Sequence, residues 1–184
     1  MTQRREFFKR SAVLATALGV PMLGRAASDA AAPLAARRDR TLSMYNTHTG
    51  ESIKATYWAE GRFVPESLSD INKLLRDHRN NKVAPIDPAL LLLLDQVSTQ
   101  VKPGGVVHII SGYRSPETNQ LLADTTNGVA RHSMHLDGRA IDVRMPGTAL
   151  TNLRRAALRA AGGGVGYYAD SQFVHLDTGR VRNW

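Results

Sequence analysis

Two histidines and one aspartate, His135, Asp142 and His175, are spaced so that a single metal ion could bind all three. His135 and Asp142 share the segment RHSMHLDGRAID, and His175 follows 33 residues after Asp142 in FVHLD. Catalytic zinc sites take three protein ligands of this kind and keep a fourth position for water or substrate. A lone histidine is usually a hydrogen-bonded structural residue, but three convergent ligands favour a metal site and therefore a hydrolase.

The first two ligands must be brought together by local structure. The sequence predicts short strands over 133–136 and 139–144, joined by a tight turn at Asp137-Gly138. Such a hairpin would return His135 to the strand that carries Asp142. Because side chains alternate between the two faces of a strand, Asp142 would point away from its apolar neighbours.

The third ligand lies on a predicted strand over 172–177, where His175 and Asp177 share one face. The remaining elements alternate irregularly between helix and strand, which indicates an α+β fold with a mostly antiparallel sheet. We predict a β-hairpin over 42–63, a helix that begins at Pro65, a central strand over 106–111, a strand over 165–168 and helices over 89–101, 115–122 and 149–161.

Composition limits the class of protein. The chain has 184 residues, enough for one domain with its own core. Its hydrophobic content of 42% and charged content of 22% are ordinary for a globular protein. Cysteine is absent, which excludes disulfide scaffolds, thiol catalysis and cysteine-based metal sites.

The formal net charge of +8 overstates the basic character of the domain. Residues 1–28 carry five arginines and lysines against one acid, whereas the rest carries 19 basic and 15 acidic side chains. This small excess of basic over acidic side chains suits a mildly anionic partner such as a cell-wall polymer. It lacks the clustered basic and aromatic residues of a nucleic-acid interface, so we expect no nucleic-acid partner.

Residues 1–32 are predicted to be a signal peptide with a flexible lead, and residues 33–184 the mature domain. Arg4-Arg5 followed by Phe-Phe-Lys resembles a bacterial twin-arginine signal. The apolar run over 12–23 is too short for a comfortable membrane span, and small residues follow it. We therefore expect twin-arginine export to the periplasm and no stable membrane insertion after cleavage.

The motif Ser133-x-His135-x-x-Gly138-x-Ala140-x-Asp142, with a histidine on a later strand, resembles the signature of the zinc D-alanyl-D-alanine peptidases and their hedgehog-like relatives. The upstream segment 111–115, SGYRS, is similar to that family too. More narrowly, residues 163–168, GGVGYY, and 173–182, FVHLDTGRVR, resemble the twin-arginine-exported murein endopeptidases of Gram-negative bacteria. The resemblance extends over roughly residues 42–184, with its motifs in order.

This resemblance implies a hedgehog/D-Ala-D-Ala-peptidase-like fold, a mostly antiparallel sheet with flanking helices. It also implies one zinc ion per chain, held by His135, Asp142 and His175, with water in the fourth position to attack a peptide cross-link of peptidoglycan. Arg114 would stabilise the oxyanion or orient the substrate, and Ser133 would hydrogen-bond the stem peptide.

The general base is where the chain departs from some of these relatives. Many D,D-peptidases place an acidic residue three positions before the last zinc ligand, and Gln172, which cannot take a proton, stands there. Asp177, on the same strand face as His175, is the candidate base, and His132 is the second choice. Asp177 could equally orient a metal ligand from behind. Tyr113 and His132 are further candidates for substrate contacts.

The predicted function is a zinc-dependent murein endopeptidase that hydrolyses peptide cross-links during cell-wall growth or remodelling. One alternative is a non-catalytic, zinc-containing peptidoglycan-binding module, to which Gln172 lends weight. The presence of Ser133, Arg114 and Asp177 argues against that module. The other alternative is a D-Ala-D-Ala carboxypeptidase or dipeptidase on the same fold.

Overall fold

The structure is a computed structural model that describes residues 38–125, 130 and 132–184. The predicted signal peptide and lead, residues 1–32, lie outside the described residues, as do residues 33–37, 126–129 and 131. In the part of the chain that is described, no helix has the length and apolar character needed to cross a membrane.

Eight strands form one sheet in the order β3-β2-β1-β4-β5-β7-β6-β8. Their bounds are β1 Arg40–Asn46, β2 Ser52–Ala59, β3 Arg62–Phe63, β4 Val106–Ser111, β5 Ala140–Arg144, β6 Gly164–Tyr168, β7 Phe173–Asp177 and β8 Arg182–Asn183. Two of the seven neighbouring pairs, β1 with β4 and β6 with β8, are parallel, and the other five are antiparallel. The predicted α+β class with a mostly antiparallel sheet is confirmed.

Helices pack against the sheet and close the core. The helices are α1 Pro65–Leu74, α2 Pro88–Val101, α3 Pro116–Thr125 and α4 Leu150–Ala160. Asp87 caps α2, since its Oδ1 accepts from the Ala89 N–H at 2.9 Å, and Pro88 occupies the first helical position. The leucine run of α2 is mostly buried against α4 and the sheet, as its sequence predicts, while Gln96, Thr99 and Gln100 are exposed.

The segment 133–136 is not a strand, so the predicted hairpin around Asp137-Gly138 is wrong. Residues Met134–Asp137 form a 3₁₀ turn, in which the carbonyl of Ser133 accepts from the Leu136 N–H at 3.0 Å. Gly138 ends the turn with φ of +64°, and a Cβ there would lie 2.2 Å from the carbonyl oxygen of Pro85. His135 therefore reaches the site from a helical turn that abuts β5.

The C-terminal strand β8 is an element that the sequence pattern did not predict. It is only two residues long, and it pairs in parallel with β6 through Gly164 with Arg182 and Val165 with Asn183. Two residues carry no measurable periodicity, so packing alone reveals this strand. Its position brings Arg182 and Trp184 beside the predicted ligands.

Candidate metal centre

The backbone fixes which nitrogen of His135 faces the site. Its Nδ1 lies 2.7 Å from the carbonyl oxygen of Gly112, and because a carbonyl only accepts, Nδ1 carries the proton. The lone pair of Nε2 is thereby left facing Asp142, whose Oδ2 is 3.4 Å away. Gly112 permits this arrangement, since a Cβ there would lie 2.5 Å from the carbonyl oxygen of Leu75.

Asp142 and His175 face each other across neighbouring strands. They are direct partners in the antiparallel register of β5 and β7, and the Nδ1 of His175 lies 2.8 Å from Asp142 Oδ1. Their neighbours Ile141 and Leu176 are fully buried on the opposite, core-facing side. The strand alternation that predicts a shared face for the two ligands is therefore present.

The three side chains fit a zinc ion. Ligand atoms of His135, Asp142 and His175 all lie within 4.8 Å of one another, and all three residues are buried. Donors about 2.1 Å from a tetrahedral zinc lie roughly 3.4 Å apart, which matches the spacing between His135 Nε2 and Asp142 Oδ2. Two imidazoles and one carboxylate form a donor set suited to zinc that leaves a fourth position open.

The site keeps its carboxylate ionised. Burial raises the pKa of Asp142, but the adjacent His135 and His175 outweigh it and hold that pKa well below its ordinary range. Burial likewise lowers the pKa of His175, whereas hydrogen bonds to Asp142 and Asp177 raise it to about 8. A divalent cation bound here would be stabilised by the negative charge of this carboxylate and by the two neighbouring imidazoles.

Asp177 lies behind His175 and not in the cavity. Its carboxylate is fully buried, and Oδ2 lies 3.1 Å from His175 Nε2. Four further donors complete its contacts: the N–H of Gly164 at 3.1 Å, the N–H of Gly179 at 2.8 Å, and Nη1 and Nη2 of Arg182 at 3.0 and 2.7 Å. These contacts favour the orienting role over the role of general base, because a carboxylate with five donors and no exposure has no access to a water in the cavity.

A cavity of about 440 Å³ opens above the three ligands. Arg114 lines it, and its buried Nε has no hydrogen-bond partner among the described residues. Burial lowers the pKa of Arg114, while the charge of Asp142 opposes that shift. The lining is Arg114, Ala130, His132, Ser133, Met134, His135, Asp142, Tyr168, Ser171, Phe173, His175, Arg182 and Trp184.

The other predicted site residues divide into two groups. His132 and Ser133 line the cavity, and the Oγ of Ser133 also accepts from the N–H of His135 at 3.4 Å. Tyr113 does not line the cavity: its N–H donates to the Leu75 carbonyl at 2.8 Å and its ring packs against the core. The substrate contact predicted for Tyr113 therefore has no support from its position.

Gln172 also lies outside the cavity. It adopts φ of +55° at the turn before β7, and its Nε2 donates to the carbonyl of Ala169 at 2.5 Å. Its side chain lines a separate cavity with His108 and Arg144. The glutamine at position 172, where many D,D-peptidases have an acidic residue, therefore does not face the metal cavity.

Three aromatic residues and one arginine in the cavity lining were not assigned a definite role from the sequence. Tyr168 and Phe173 line the cavity from the β6–β7 hairpin, while Arg182 and Trp184 line it from β8 and the residue after it. The signal that could have found Arg182 is the buried aspartate five positions before it, which needs a cation. For Trp184, which follows the last resembling segment, no signal in the sequence pointed to the site.

Comparisons with known proteins identify the family to which the chain belongs. A family model described as Peptidase_M15_2, the peptidoglycan L,D-endopeptidase MepK, matches residues 34–184. The peptidoglycan L,D-endopeptidase MepK of Escherichia coli (strain K12) is 44% identical over 170 residues, which cover 91% of this chain and 93% of that protein. A probable peptidoglycan L,D-endopeptidase MepK of Haemophilus influenzae is 35% identical over 169 residues, covering 91% and 89%.

One solved structure also matches in part. The L-Ala D-Glu endopeptidase ChiX of Serratia marcescens aligns with 19% sequence identity and a TM-score of 0.35. The alignment covers 41% of this chain and 62% of that one.

Proposed function

The chain belongs to the Peptidase_M15_2 family and is a peptidoglycan endopeptidase, and we propose that it uses one zinc ion to hydrolyse L,D cross-links of murein. The observation that carries the proposal is the triad of His135, Asp142 and His175, whose ligand atoms converge at the base of an open cavity. A binding module needs no such opening above its metal, because structural zinc sites are closed by a fourth protein ligand.

Zinc held by these three residues would supply a Lewis acid for peptide hydrolysis at neutral pH. Contacts within the chain select the nitrogen that each histidine would offer to a metal. The Gly112 carbonyl holds the proton of His135 on Nδ1, and Asp177 accepts the Nε2 proton of His175, so that His175 Nδ1, which faces Asp142 at 2.8 Å, is the nitrogen that would exchange its proton for the metal.

Arg114 is the group best placed to meet negative charge on the substrate. Its guanidinium lines the cavity, its Nε is buried without a partner among the described residues, and Nη1 contacts Asn119 Oδ1 at 3.3 Å. A buried donor without a partner is costly, so an acceptor supplied by the substrate stabilises this state. We assign Arg114 to the oxyanion or to a substrate carboxylate, and Ser133 to a hydrogen bond with the stem peptide.

The stereochemistry of the bond follows from the name of the relatives. A cross-link from D-alanine to diaminopimelate joins two D centres, whereas a cross-link between two diaminopimelate residues joins an L centre to a D centre. An L,D-endopeptidase acts on the second kind. We therefore propose the cross-link between two diaminopimelate residues as the substrate of this chain.

Mass spectrometry of purified muropeptide dimers tests this function. Dimers of both kinds are incubated with the zinc-loaded protein, with His135→Ala and with protein treated with a chelator. We expect monomers only from the zinc-loaded unmutated protein and only from the diaminopimelate–diaminopimelate dimer. Intact dimers despite one bound zinc per chain would instead support the binding module, and release of free D-alanine alone would support a carboxypeptidase.

We also propose that the protein is exported to the periplasm by the twin-arginine route. The proposal rests on Arg4-Arg5 and the short apolar run that follows. Replacing both arginines by lysine should leave the protein in the cytoplasmic fraction, and unchanged periplasmic recovery would refute this route.

A further inference from the structure

An aromatic surface forms one side of the metal cavity and has no part in the mechanism above. The rings of Tyr168 and Phe173 stack with centroids 4.5 Å apart. The Nε1 of Trp184 donates to the hydroxyl of Tyr168 at 2.9 Å, and its ring lies 5.3 Å from that of His175. Tyr168, Phe173 and Trp184, here called the aromatic wall, therefore form one connected surface that reaches the predicted ligand His175 through Trp184.

Trp184 is held in place although 48% of it is exposed. Its N–H donates to the Val165 carbonyl at 3.2 Å, and its carbonyl accepts from the Tyr167 N–H at 3.0 Å. The guanidinium of Arg182 lies 4.9 Å from the centre of the indole. At Gly166, a Cβ would lie 2.8 Å from the rings of both Trp184 and Tyr168, so the glycine lets the rings lie close to β6. A large aromatic surface that is both restrained and exposed is preorganised for a ligand.

Guanidinium groups border the same cavity. Arg114 and Arg182 both line it, and Arg182 lies against Trp184. The charge of Arg182 is balanced by Asp177, so the cavity offers an aromatic face for methylene groups and, beside it, the guanidinium of Arg114 for a carboxylate. That combination matches an aliphatic chain that ends in a charged amino-acid centre, and it matches a small side chain such as that of alanine poorly.

We propose that the aromatic wall binds the aliphatic chain of a diamino-acid residue next to the cleaved bond. This inference rests on the proposed function. In a cross-link between two diaminopimelate residues, a trimethylene chain stands on each side of the bond. The wall therefore meets such a chain whichever way the substrate runs through the cavity.

Steady-state kinetics on the diaminopimelate–diaminopimelate dimer test the proposal. Trp184→Ala should raise KM about tenfold with little change in kcat, since the wall covers roughly half the surface of the methylene chain. Trp184→Phe loses the hydrogen bond to Tyr168 but keeps an aromatic face. Its KM for the dimer should therefore lie close to that of the unmutated protein. Val181→Ala is the matched control, because Val181 is 67% exposed on the same segment and does not line the cavity.

The outcomes separate this proposal from the proposed function. If the unmutated protein leaves the dimer intact, the proposed function fails. If it cleaves the dimer and Trp184→Ala has an unchanged KM, the aromatic wall does not bind substrate. A lower zinc content and a lower kcat at unchanged KM would also overturn the proposal, because Trp184 would then only support His175.

A fluorescence measurement keeps the proposal testable if Trp184→Ala fails to fold. The chain has two tryptophans, and Trp58 lies on β2, which five strands separate from β8. In zinc-loaded Trp58→Phe protein, Trp184 is the remaining reporter. Rapid mixing with the dimer should give a saturable change in emission before cleavage. An emission that stays constant while the dimer is cleaved would overturn the proposal.

Discussion

Replacement of Asp177 by asparagine separates the two roles that the sequence leaves open for this residue. The carboxylate is fully buried, and burial raises its pKa, but hydrogen bonds from His175, Arg182 and two backbone N–H groups hold the pKa well below its ordinary range. Asp177→Asn therefore removes a real negative charge. Both carboxylate oxygens of Asp177 accept a hydrogen bond from Arg182, and Oδ1 also accepts from two backbone N–H groups. Whichever oxygen position the new amide NH₂ takes, it therefore faces a donor and cannot accept from it.

The expected effect falls mainly on the affinity for zinc. Loss of the carboxylate behind a metal-ligating histidine typically costs 10–100-fold in affinity, which is about 1.4–2.7 kcal/mol. The unmatched donors should destabilise the fold by about 1–3 kcal/mol, at the low end because Arg182 is 30% exposed and can be solvated. At roughly 2–4 °C per kcal/mol, a loss of about 1 kcal/mol lowers Tm by about 2–4 °C.

The assay is competition for zinc with a chromophoric chelator, followed by kinetics at saturating zinc. If Asp177 orients His175, Asp177→Asn binds zinc more weakly and regains most of its kcat when zinc is saturating. If Asp177 is the general base, the variant binds zinc normally and kcat stays low. Unchanged zinc affinity would therefore refute the orienting role. Asp95→Asn is the matched control, since Asp95 also accepts from an arginine, Arg40, at 3.1 Å, but far from the ligands.

Two further predictions concern Asp77, a buried aspartate outside the metal cavity, and Gly164, which contacts Asp177. Burial raises the pKa of Asp77, but hydrogen bonds from Thr118 and the Ser115 N–H outweigh burial, so its folded pKa lies below its unfolded value. Its contribution to stability is present above about pH 4 and is lost as the pH falls through the folded pKa, so Asp77→Asn should flatten the acid side of a plot of Tm against pH. Gly164→Ala would place a Cβ 2.4 Å from Asp177 Oδ2 and should lower zinc affinity as Asp177→Asn does, whereas normal zinc affinity would show that the carboxylate can shift freely.

Elements with strong local signals could be predicted from the sequence. α2 follows from its leucine run and the proline at its first position, and the strands around Asp142 and His175 follow from their alternating residues. The segment 133–136 could not be predicted, because its alternating pattern fits a short strand as well as a turn. The backbone at Gly138 lies close to that of Pro85, 53 residues earlier in the chain. A contact between residues so far apart in sequence leaves no signal in the local residue pattern.

The ligand set could be predicted, but the roles around it could not. Spacing and residue type, together with the family motif, select His135, Asp142 and His175, which the structure brings together. Whether Asp177 acts as a base or a support depends on which groups surround its oxygens, and Arg182 reaches them only because β8 pairs with β6. Long-range pairings of this kind also bring Trp184 to the cavity, and no periodicity in the sequence encodes them.

His135 faces the candidate metal site with Nε2 and His175 faces it with Nδ1, so different groups hold the proton on the other nitrogen of each ring. The proton of His135 is held by a main-chain carbonyl, that of Gly112, which no side-chain substitution removes. The proton of His175 is held by a side chain, Asp177, whose charge is in turn balanced by Arg182. The support of His135 is therefore disturbed only through the backbone, as by a bulkier residue at Gly112, whose Cβ would meet the carbonyl of Leu75. The support of His175 depends on a buried ion pair, so single substitutions that break that pair leave an uncompensated charge beside the metal ligand.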